Sequence, residues 1–203
     1  MQMNNTTMND TVRAKIIKKR IPYDIRQLCE SKEFQAVLAE PDNTSTILVK
    51  FENMGRYYKN QTHILEVKLG TSAHEYPFTA PNVKFLTPIL HTNINIHGSI
   101  CLSILKGKSI DNPEGWTEAY NLCSVIQSIF LLLECPNTAS PFNSDASRLW
   151  TECKQGKLAE QYIASVDNYY FKNNYKAPLE MFENRYKEES PALENKLQEL
   201  KIN

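Results

Sequence analysis

Hydrophobic and polar residues alternate in four short segments in the first half of the chain. These segments span 34–40, 45–53, 62–70 and 83–87 and are rich in β-branched residues, a composition and period typical of β-strands. The pieces between them, such as PDNT and GRYYKNQ, are rich in turn-forming residues. Short connections of this kind predict a four-stranded antiparallel β-meander with one face on the core.

A helical period precedes the strands. Ile21, Ile25 and Leu28 recur at helical spacing. Pro22 favours the first turn of a helix rather than its interior. We therefore predict that the main N-terminal helix begins near residue 21, and that residues 12–20 form a separate basic turn or an upstream helix.

The second half of the chain changes to helical periodicity throughout. Residues 121–134 carry a broad apolar stripe, with Asn121 as a candidate N-cap and Pro136 beyond the end. Residues 143–171 predict two more helices with a break near Gly156. Helix, strands, an irregular loop and then helices make up an α+β fold.

The last segment has its own helix signals. Pro178 and Pro191 stand at predicted helix starts, with Ser190 as a cap. One narrow face carries three leucines, Leu193, Leu197 and Leu200. We interpret the tail as an appendage whose removal after Asn174 leaves the activity of the core within a few-fold.

Composition excludes several classes of protein. The 23 basic and 23 acidic residues cancel, so no overall field favours nucleic acid. The cluster RAKIIKKR at 13–20 suits either a solvated helix face or a docking segment. No segment approaches the ~18 apolar residues of a membrane span. Five cysteines without a Cys-x-x-Cys pair, and a polar N-terminus without a signal peptide, predict reduced thiols, no metal site and a cytoplasmic or nuclear location.

Residues 87–101, TPILHTNINIHGSIC, have no regular period, and long irregular loops in compact domains are usually functional. Gly98 predicts a tight turn before Cys101, and His91 and Asn93 offer polar groups that would hold the loop. Cys101 is a nucleophile or a small core hydrophobe on this evidence. The other four cysteines lie within helical patterns, which favours packing roles.

The segments YPFTAPNVKF and HTNINIHGSICLSIL resemble the signature of the ubiquitin-conjugating enzymes. That family carries Tyr-Pro-Phe-x-x-Pro-x-Val-x-Phe, then His-Pro-Asn, then the active cysteine eight residues after the asparagine, as from Asn93 to Cys101. Trp116, LECPNTASP and KRIPYDIRQL also resemble family motifs. The resemblance predicts a catalytic core over 19–172, a flexible basic extension over 1–18 and a helical extension over 173–203.

The chain departs from the family pattern in three places. His-Pro-Asn is His-Thr-Asn here, with Thr92 in place of proline, and its hydroxyl is expected to bond nearby backbone. The Gly-Gly-x-Phe turn is replaced by RYYKNQTHI. About seven extra residues, around GKSIDNPEG, precede Trp116. They resemble a shortened form of the insertion found in some chain-building members, or form a purely structural loop.

The resemblance implies that Cys101 accepts ubiquitin or a ubiquitin-like protein as a thioester from an activating enzyme. The modifier then passes to a lysine of a protein substrate, usually with a ubiquitin ligase, or to a ligase cysteine. No bound cofactor is expected, because ATP is used by the activating enzyme. We expect a monomer with no nucleic-acid or membrane partner.

The same resemblance assigns the site residues. Asn93 either donates its amide to the oxyanion at the thioester carbonyl or orders the loop around it. Ser140 helps to align the incoming amine or is a plain turn serine, and His91 and Tyr76 support the active-site structure. The surface for the ligase and activating enzyme comprises Arg20, Arg26, Phe78, Thr117 and Ala119.

Two rival functions remain at this stage. A non-catalytic relative of the same fold would bind ubiquitin as a scaffold, although such variants lack the cysteine. A papain-like hydrolase would use His91 or His97 as base, but the motif around its cysteine is absent. No His or Lys lies within two residues of Cys101, which favours a carrier thiol over a protease thiolate.

Overall fold

Four antiparallel strands form a single sheet in sequence order, which confirms the predicted meander. The computed structural model describes residues 10–41, 43–70, 75–154 and 159–199. The strands are β1 (Gln35–Glu40), β2 (Asn43–Met54), β3 (Tyr58–Lys68) and β4 (Asn82–Phe85).

The β2–β3 hairpin is tighter than the sequence predicts. Met54 pairs with Tyr58 across the turn, so β3 begins four residues before the predicted position 62. The aromatic ring at the start of β3 explains the difference. Tyr58 is fully buried, and its hydroxyl donates to the Leu90 carbonyl at 3.0 Å, so packing orders a segment whose composition suggests a loop.

In the described residues, five α-helices accompany the sheet: α1 (Asp10–Cys29), α2 (Leu122–Glu134), α3 (Ser144–Lys154), α4 (Ala159–Lys172) and α5 (Lys176–Glu199). The predicted helices on either side of Gly156 are confirmed, and the predicted break itself lies outside the described residues. Within the part of the chain that the structure describes, no helix combines the length and apolar character needed to cross a membrane.

Helix α2 occupies the centre of the core, as its apolar stripe predicts. Asn121 is its N-cap: its side chain accepts from Ser124 N at 2.8 Å, and Ser124 Oγ accepts from Asn121 N at 3.0 Å. This reciprocal pair is a capping box. Val125 and Ile129 are fully buried within one cluster that includes the inward face of the sheet.

Helix α1 is a correction to the sequence prediction. It begins at Asp10 rather than near residue 21, and it contains Pro22 in its interior. Proline in a helix interior removes one backbone donor and crowds the carbonyl four residues earlier, at a cost of about 3 kcal/mol, although its φ is compatible with a helix. Contacts of the upstream turns stabilise the longer helix, because the Arg13 guanidinium lies 4.2 Å from the centre of the Phe78 ring.

Helix α5 covers the outer face of the sheet. The sequence analysis interprets this part of the chain as an appendage to the core. Phe182 is fully buried against Val37, Leu48 and Ile64. The helix continues through Pro191, so the predicted second helix start at this proline is wrong. The side chains of the predicted leucine face lie outside the described residues.

Polar side chains of α5 also bind the edge of the sheet. Glu189 accepts from the Leu38 N–H at 3.2 Å, and Arg185 donates to the Leu38 carbonyl at 3.4 Å. Lys50 donates to Glu183 at 2.6 Å. The Leu38 groups belong to the edge strand β1, so α5 satisfies donors and acceptors that a further strand would otherwise pair.

Candidate active site

Cys101 follows a tight turn at Gly98, as the sequence predicts. Gly98 has a φ of +81°, and its carbonyl accepts from Phe85 N at the end of β4 at 2.9 Å. A Cβ at this position would lie 2.0 Å from the Phe85 carbonyl oxygen, so only glycine fits. The Asn95 side chain accepts from two backbone N–H groups of the turn, each at 3.0 Å. The turn thereby fixes the loop to the sheet.

Cys101 itself is half-exposed. Its backbone N–H donates to the Asn93 carbonyl at 2.8 Å, which ties it to the His-Thr-Asn segment. Lys106 donates from Nζ to the Cys101 sulfur at 3.5 Å. The sequence analysis considers only the two residues on either side of Cys101, and Lys106 lies five residues further along the chain.

The other cysteines differ from Cys101 in their surroundings. Burial raises the pKa of the Cys29 thiol to about 12 and also raises the pKa values of Cys123 and Cys153, which disfavours their thiolates. Cys135 is exposed at the C-cap of α2. The predicted packing role is therefore wrong for Cys135, because the end of the helix turns its side chain to solvent.

The Asn93 side chain is buried and bound on both sides. Its amide nitrogen donates to the Asn137 carbonyl at 2.8 Å, and its amide oxygen accepts from the Asn137 N–H at 2.8 Å. Only 1% of Asn93 is exposed. The geometry favours the loop-ordering alternative, because the amide oxygen and one of the two amide N–H groups are engaged by the turn after α2 and the side chain is buried. Asn137 is a partner that sequence reasoning missed, although it lies in the quoted Pro-Asn turn.

His91 binds the same segment through its ring nitrogens. Its Nδ1 accepts from Asn93 N and its Nε2 donates to the Leu132 carbonyl, each at 3.0 Å. Burial lowers the pKa of His91 to about 4, so the ring is neutral at physiological pH. Both ring nitrogens are occupied by backbone groups, which argues against His91 as the base of a hydrolase.

Thr92 differs from its sequence expectation. Its carbonyl accepts from Phe142 N at 2.8 Å and Asn143 N at 2.9 Å, which joins the loop to the start of α3. Its buried hydroxyl finds no hydrogen-bond partner among the described residues. The predicted bond from this hydroxyl to nearby backbone is therefore wrong, and the backbone of residue 92 supplies the contact instead.

The extra residues 107–115 form a closed loop beside the cysteine. Trp116 N donates to the Lys106 carbonyl at 2.7 Å at the base of the loop. Inside it, the Asn112 amide donates to the carbonyls of Ser103 and Gly107, each at 3.1 Å, and of Lys106 at 3.4 Å. Asn112 is a second residue that sequence reasoning missed, and nothing in its local pattern distinguishes it from a turn asparagine.

The predicted docking residues come together around α1. Arg20 donates to the carbonyls of Glu118, at 3.1 Å, and of Tyr120, which joins the helix to the loop containing Thr117 and Ala119. Arg20 also pairs with the buried carboxylate of Asp24 at 2.8 Å. Arg20 thereby connects the carbonyls of this loop to a buried side chain of α1, and these contacts form one hydrogen-bond network.

Tyr76 belongs to this network rather than to the surroundings of the cysteine. Its hydroxyl donates to Asp24, and its ring contacts Trp116 with the centroids 5.6 Å apart. Burial raises the pKa of Tyr76 far above its usual range, so the phenol is neutral. Phe78, two residues on, is half-buried under Arg13.

The remaining predicted residues have simpler surroundings. Ser140 is exposed on the turn beyond α2. Arg26 is half-buried, and its Nε atom is enclosed without a hydrogen-bond partner among the described residues. In the described ranges, no group of three or more His, Cys, Asp or Glu side chains could hold a metal ion.

Comparison with known proteins identifies the family. The sequence model of the ubiquitin-conjugating enzymes matches residues 20–170. A probable ubiquitin-conjugating enzyme E2 of Acanthamoeba polyphaga mimivirus is 42% identical over 97 residues, which cover 48% of this chain and 56% of that protein. The ubiquitin-conjugating enzyme E2-20 kDa of Schizosaccharomyces pombe is 30% identical over 154 residues, which cover 73% of this chain and 81% of the yeast protein. The chain belongs to the ubiquitin-conjugating enzyme family.

Proposed function

We propose that Cys101 accepts ubiquitin or a ubiquitin-like protein from an activating enzyme and transfers it to a lysine amine. One observation carries the assignment to this residue. Cys101 is the half-exposed thiol that follows Asn93 by eight residues and is tied to it by a backbone hydrogen bond of 2.8 Å. The family match spans both residues.

The proposed reaction is an exchange of acyl groups on sulfur followed by transfer to nitrogen. In loading, the Cys101 sulfur attacks the thioester between modifier and activating enzyme, and the sulfur of the activating enzyme leaves. In discharge, a lysine amine attacks the Cys101 thioester, a C–N bond forms and the C–S bond breaks. Sulfur suits the carrier role because it is a strong nucleophile and a good leaving group.

Asn93 supports this reaction by ordering the loop around Cys101. Its two hydrogen bonds to Asn137, each 2.8 Å, connect the segment before the cysteine to the turn that carries Ser140. A loop held in this way fixes the position of the thioester relative to an incoming amine. Fixed geometry of the reacting groups contributes strongly to transfer rates.

The surface around α1 supports docking of the activating enzyme and a ligase. Arg20 holds the loop of Thr117 and Ala119 against the helix, and Arg13 covers Phe78. Segments that lie about 100 residues apart in sequence, such as Arg20 and Tyr120, thereby form one basic and aromatic surface. We propose that this surface recognises the partner proteins.

The test is incubation with ATP and a panel of activating enzymes with their cognate modifiers, followed by non-reducing gels. We expect one adduct that dithiothreitol removes. Cys101→Ser should convert it to a reductant-stable ester or abolish it. Cys135→Ser, which alters an exposed thiol outside the loop, should load normally. A normal thioester on Cys101→Ala would overturn the assignment.

A further inference from the structure

The Lys106 side chain contacts the reactive sulfur. Its Nζ donates to Cys101 Sγ at 3.5 Å. The Asn93 amide is engaged elsewhere, because its oxygen and one of its N–H groups bind the Asn137 backbone and only 1% of the residue is exposed. Of these two side chains, Lys106 is therefore the one that lies against the sulfur to which the reacting carbonyl is bonded in the proposed thioester.

The inserted loop and the turn before it hold the backbone of Lys106 in this place. The Lys106 N–H donates to the Ser103 carbonyl at 3.0 Å, and its carbonyl accepts from Trp116 N at 2.7 Å. The Asn112 amide binds the same Lys106 carbonyl at 3.4 Å and that of Ser103 at 3.1 Å. Because both backbone groups of Lys106 are bound, its position relative to Cys101 is fixed and the exposed side chain is the part that adjusts.

From this arrangement we propose that Lys106 is a further catalytic residue, whose ammonium stabilises the negative charge that develops at the Cys101 thioester during transfer. The inference rests on the proposed function and deepens it. The substrate amine attacks the carbonyl carbon, the C–N bond forms, and the π electrons of the carbonyl move to oxygen. They then return, the C–S bond breaks, and the sulfur leaves as a thiolate that takes up the proton released from nitrogen.

The place of the ammonium matches both sites of developing charge. Negative charge appears first on the carbonyl oxygen and then on the sulfur, and the two atoms are bonded to the same carbon. A donor stabilises an oxyanion at about 2.7–3.1 Å. Since Nζ already lies 3.5 Å from the sulfur, a small rotation of the side chain brings it within this range of the oxygen. The ammonium has three donors, so it can bind oxygen and sulfur in turn.

Exposure limits the size of the effect. Loss of a preorganised oxyanion donor typically slows a reaction by about 10²–10³. Lys106 is exposed, and water weakens interactions between charges at the surface. We therefore expect loss of the Lys106 charge to slow discharge about threefold to tenfold. Loading should change less, because the activating enzyme's own site assists that step.

The experiment measures the reaction of loaded protein with two nucleophiles. The full chain is loaded with ubiquitin and activating enzyme, and ATP is removed. One sample receives free lysine and the other receives none, so that only water attacks. The rates at which the ubiquitin–lysine product and free ubiquitin appear are then compared. Both reactions pass through an oxyanion on the same carbonyl, so Lys106→Met should slow both about threefold to tenfold.

Three further variants separate the charge of Lys106 from a structural role. Lys106→Arg keeps a cation beside the sulfur and should restore at least half of the lost rate. Lys108→Met is the matched control, since it removes another exposed lysine of the same loop, and it should react like the wild type. Asn112→Ala should slow both reactions because it releases the backbone of Lys106. In the double variant with Lys106→Met, it should add no further loss.

Three results would overturn the inference while leaving the proposed function intact. The first is equal discharge and hydrolysis in wild type and Lys106→Met. The second is a Lys106→Arg variant as slow as Lys106→Met, which would assign the loss to packing rather than charge. The third is slower reaction with lysine but unchanged hydrolysis, which would mean that Lys106 acts on the incoming amine. Failure of the wild type to form a reducible adduct at Cys101 would instead overturn the proposed function.

Discussion

Neutral amide groups rather than ion pairs hold the loop before Cys101. Asn93 exchanges two hydrogen bonds with the Asn137 backbone, and His91 connects the same segment to Leu132 of α2. All of these contacts are buried or partly buried. A buried amide that loses its partner carries the cost of desolvation without compensation, about 1–3 kcal/mol for each group.

Asn93→Ala should therefore affect both stability and discharge. We expect the free energy of unfolding to fall by about 1–3 kcal/mol, since the Asn137 N–H and carbonyl lose their partners. Discharge of loaded protein to free lysine should slow by a factor on the order of 10², which is what a misplacement of the reacting groups by about 1 Å can cost. Loading should persist, because the activating enzyme's own site assists that step.

Denaturant unfolding and single-turnover discharge, measured on the same protein, test this expectation. Asn60→Ala is the matched control, since the Asn60 amide donates to Asp167 in an exposed contact outside the active-site loop. Slower discharge without any loss of stability would favour direct donation to the oxyanion over loop ordering. Equal discharge rates for wild type and Asn93→Ala would exclude both roles.

Motif spacing pointed to the loop residues of the candidate site but not to the contacts between them. Cys101, Asn93 and His91 follow from the order of residues in one loop. Asn137 lies 44 residues from Asn93, and Lys106 lies beyond the local window around the cysteine. Contacts made by folding depend on where distant elements meet, and a single sequence carries no direct record of that.

At the scale of elements, the strands and α2 were predictable because each has one apolar face. The full extents of helices α1 and α5 were not, and the cause in both is an interior proline. Pro22 and Pro191 suggest helix starts, yet both helices pass through them. Tertiary contacts outweigh the lost hydrogen bond and the steric cost of each proline. For α5 these contacts include Phe182 on the outer face of the sheet.

Phe182→Ala should destabilise the protein strongly. Phe182 is fully buried between α5 and the sheet, and truncation of a buried phenylalanine typically costs about 3–5 kcal/mol. We expect the midpoint of denaturant unfolding to fall accordingly. Met181→Ala is the control on the same helix, since Met181 is 41% exposed, and it should change stability by less than about 0.5 kcal/mol.

The same measurement decides how the tail relates to the core. If Phe182→Ala and Met181→Ala unfold at the same denaturant concentration, α5 does not stabilise the sheet, and the tail is an appendage in the thermodynamic sense. A large difference between them means that α5 contributes to the stability of the core even though the family match ends at residue 170.

On the scale of the whole molecule, two of the histidines that the structure describes are buried in the folded state. Burial lowers the pKa of His63 to about 3 and that of His91 to about 4, whereas an unfolded histidine titrates near 6.5. His63 lies on β3 and contacts Thr87 and Gln61 through its ring nitrogens. Both rings are neutral in the folded protein, and both take up a proton on unfolding in acid.

The sign of the pH dependence follows from these directions. Below pH 6.5 the unfolded state binds more protons than the folded state, so stability is fully present above that pH and is lost as the pH falls. Between pH 7.5 and 5 each histidine should lower the free energy of unfolding by about 2 kcal/mol, and the two together by about 4 kcal/mol.

Denaturant unfolding at pH 7.5, 6 and 5 measures this loss, and the two buried rings can be followed directly by NMR. His97→Gln, which alters an exposed histidine, should retain the full dependence on pH. His91→Gln should show a shallower dependence, by about 2 kcal/mol over the window. If the variant does not fold, the ring signals of the wild type still decide the question: constant chemical shifts down to pH 5 are expected for His63 and His91. If either ring titrates with a midpoint near 6.5, the fold does not stabilise the neutral form of that histidine, and the expectation is wrong.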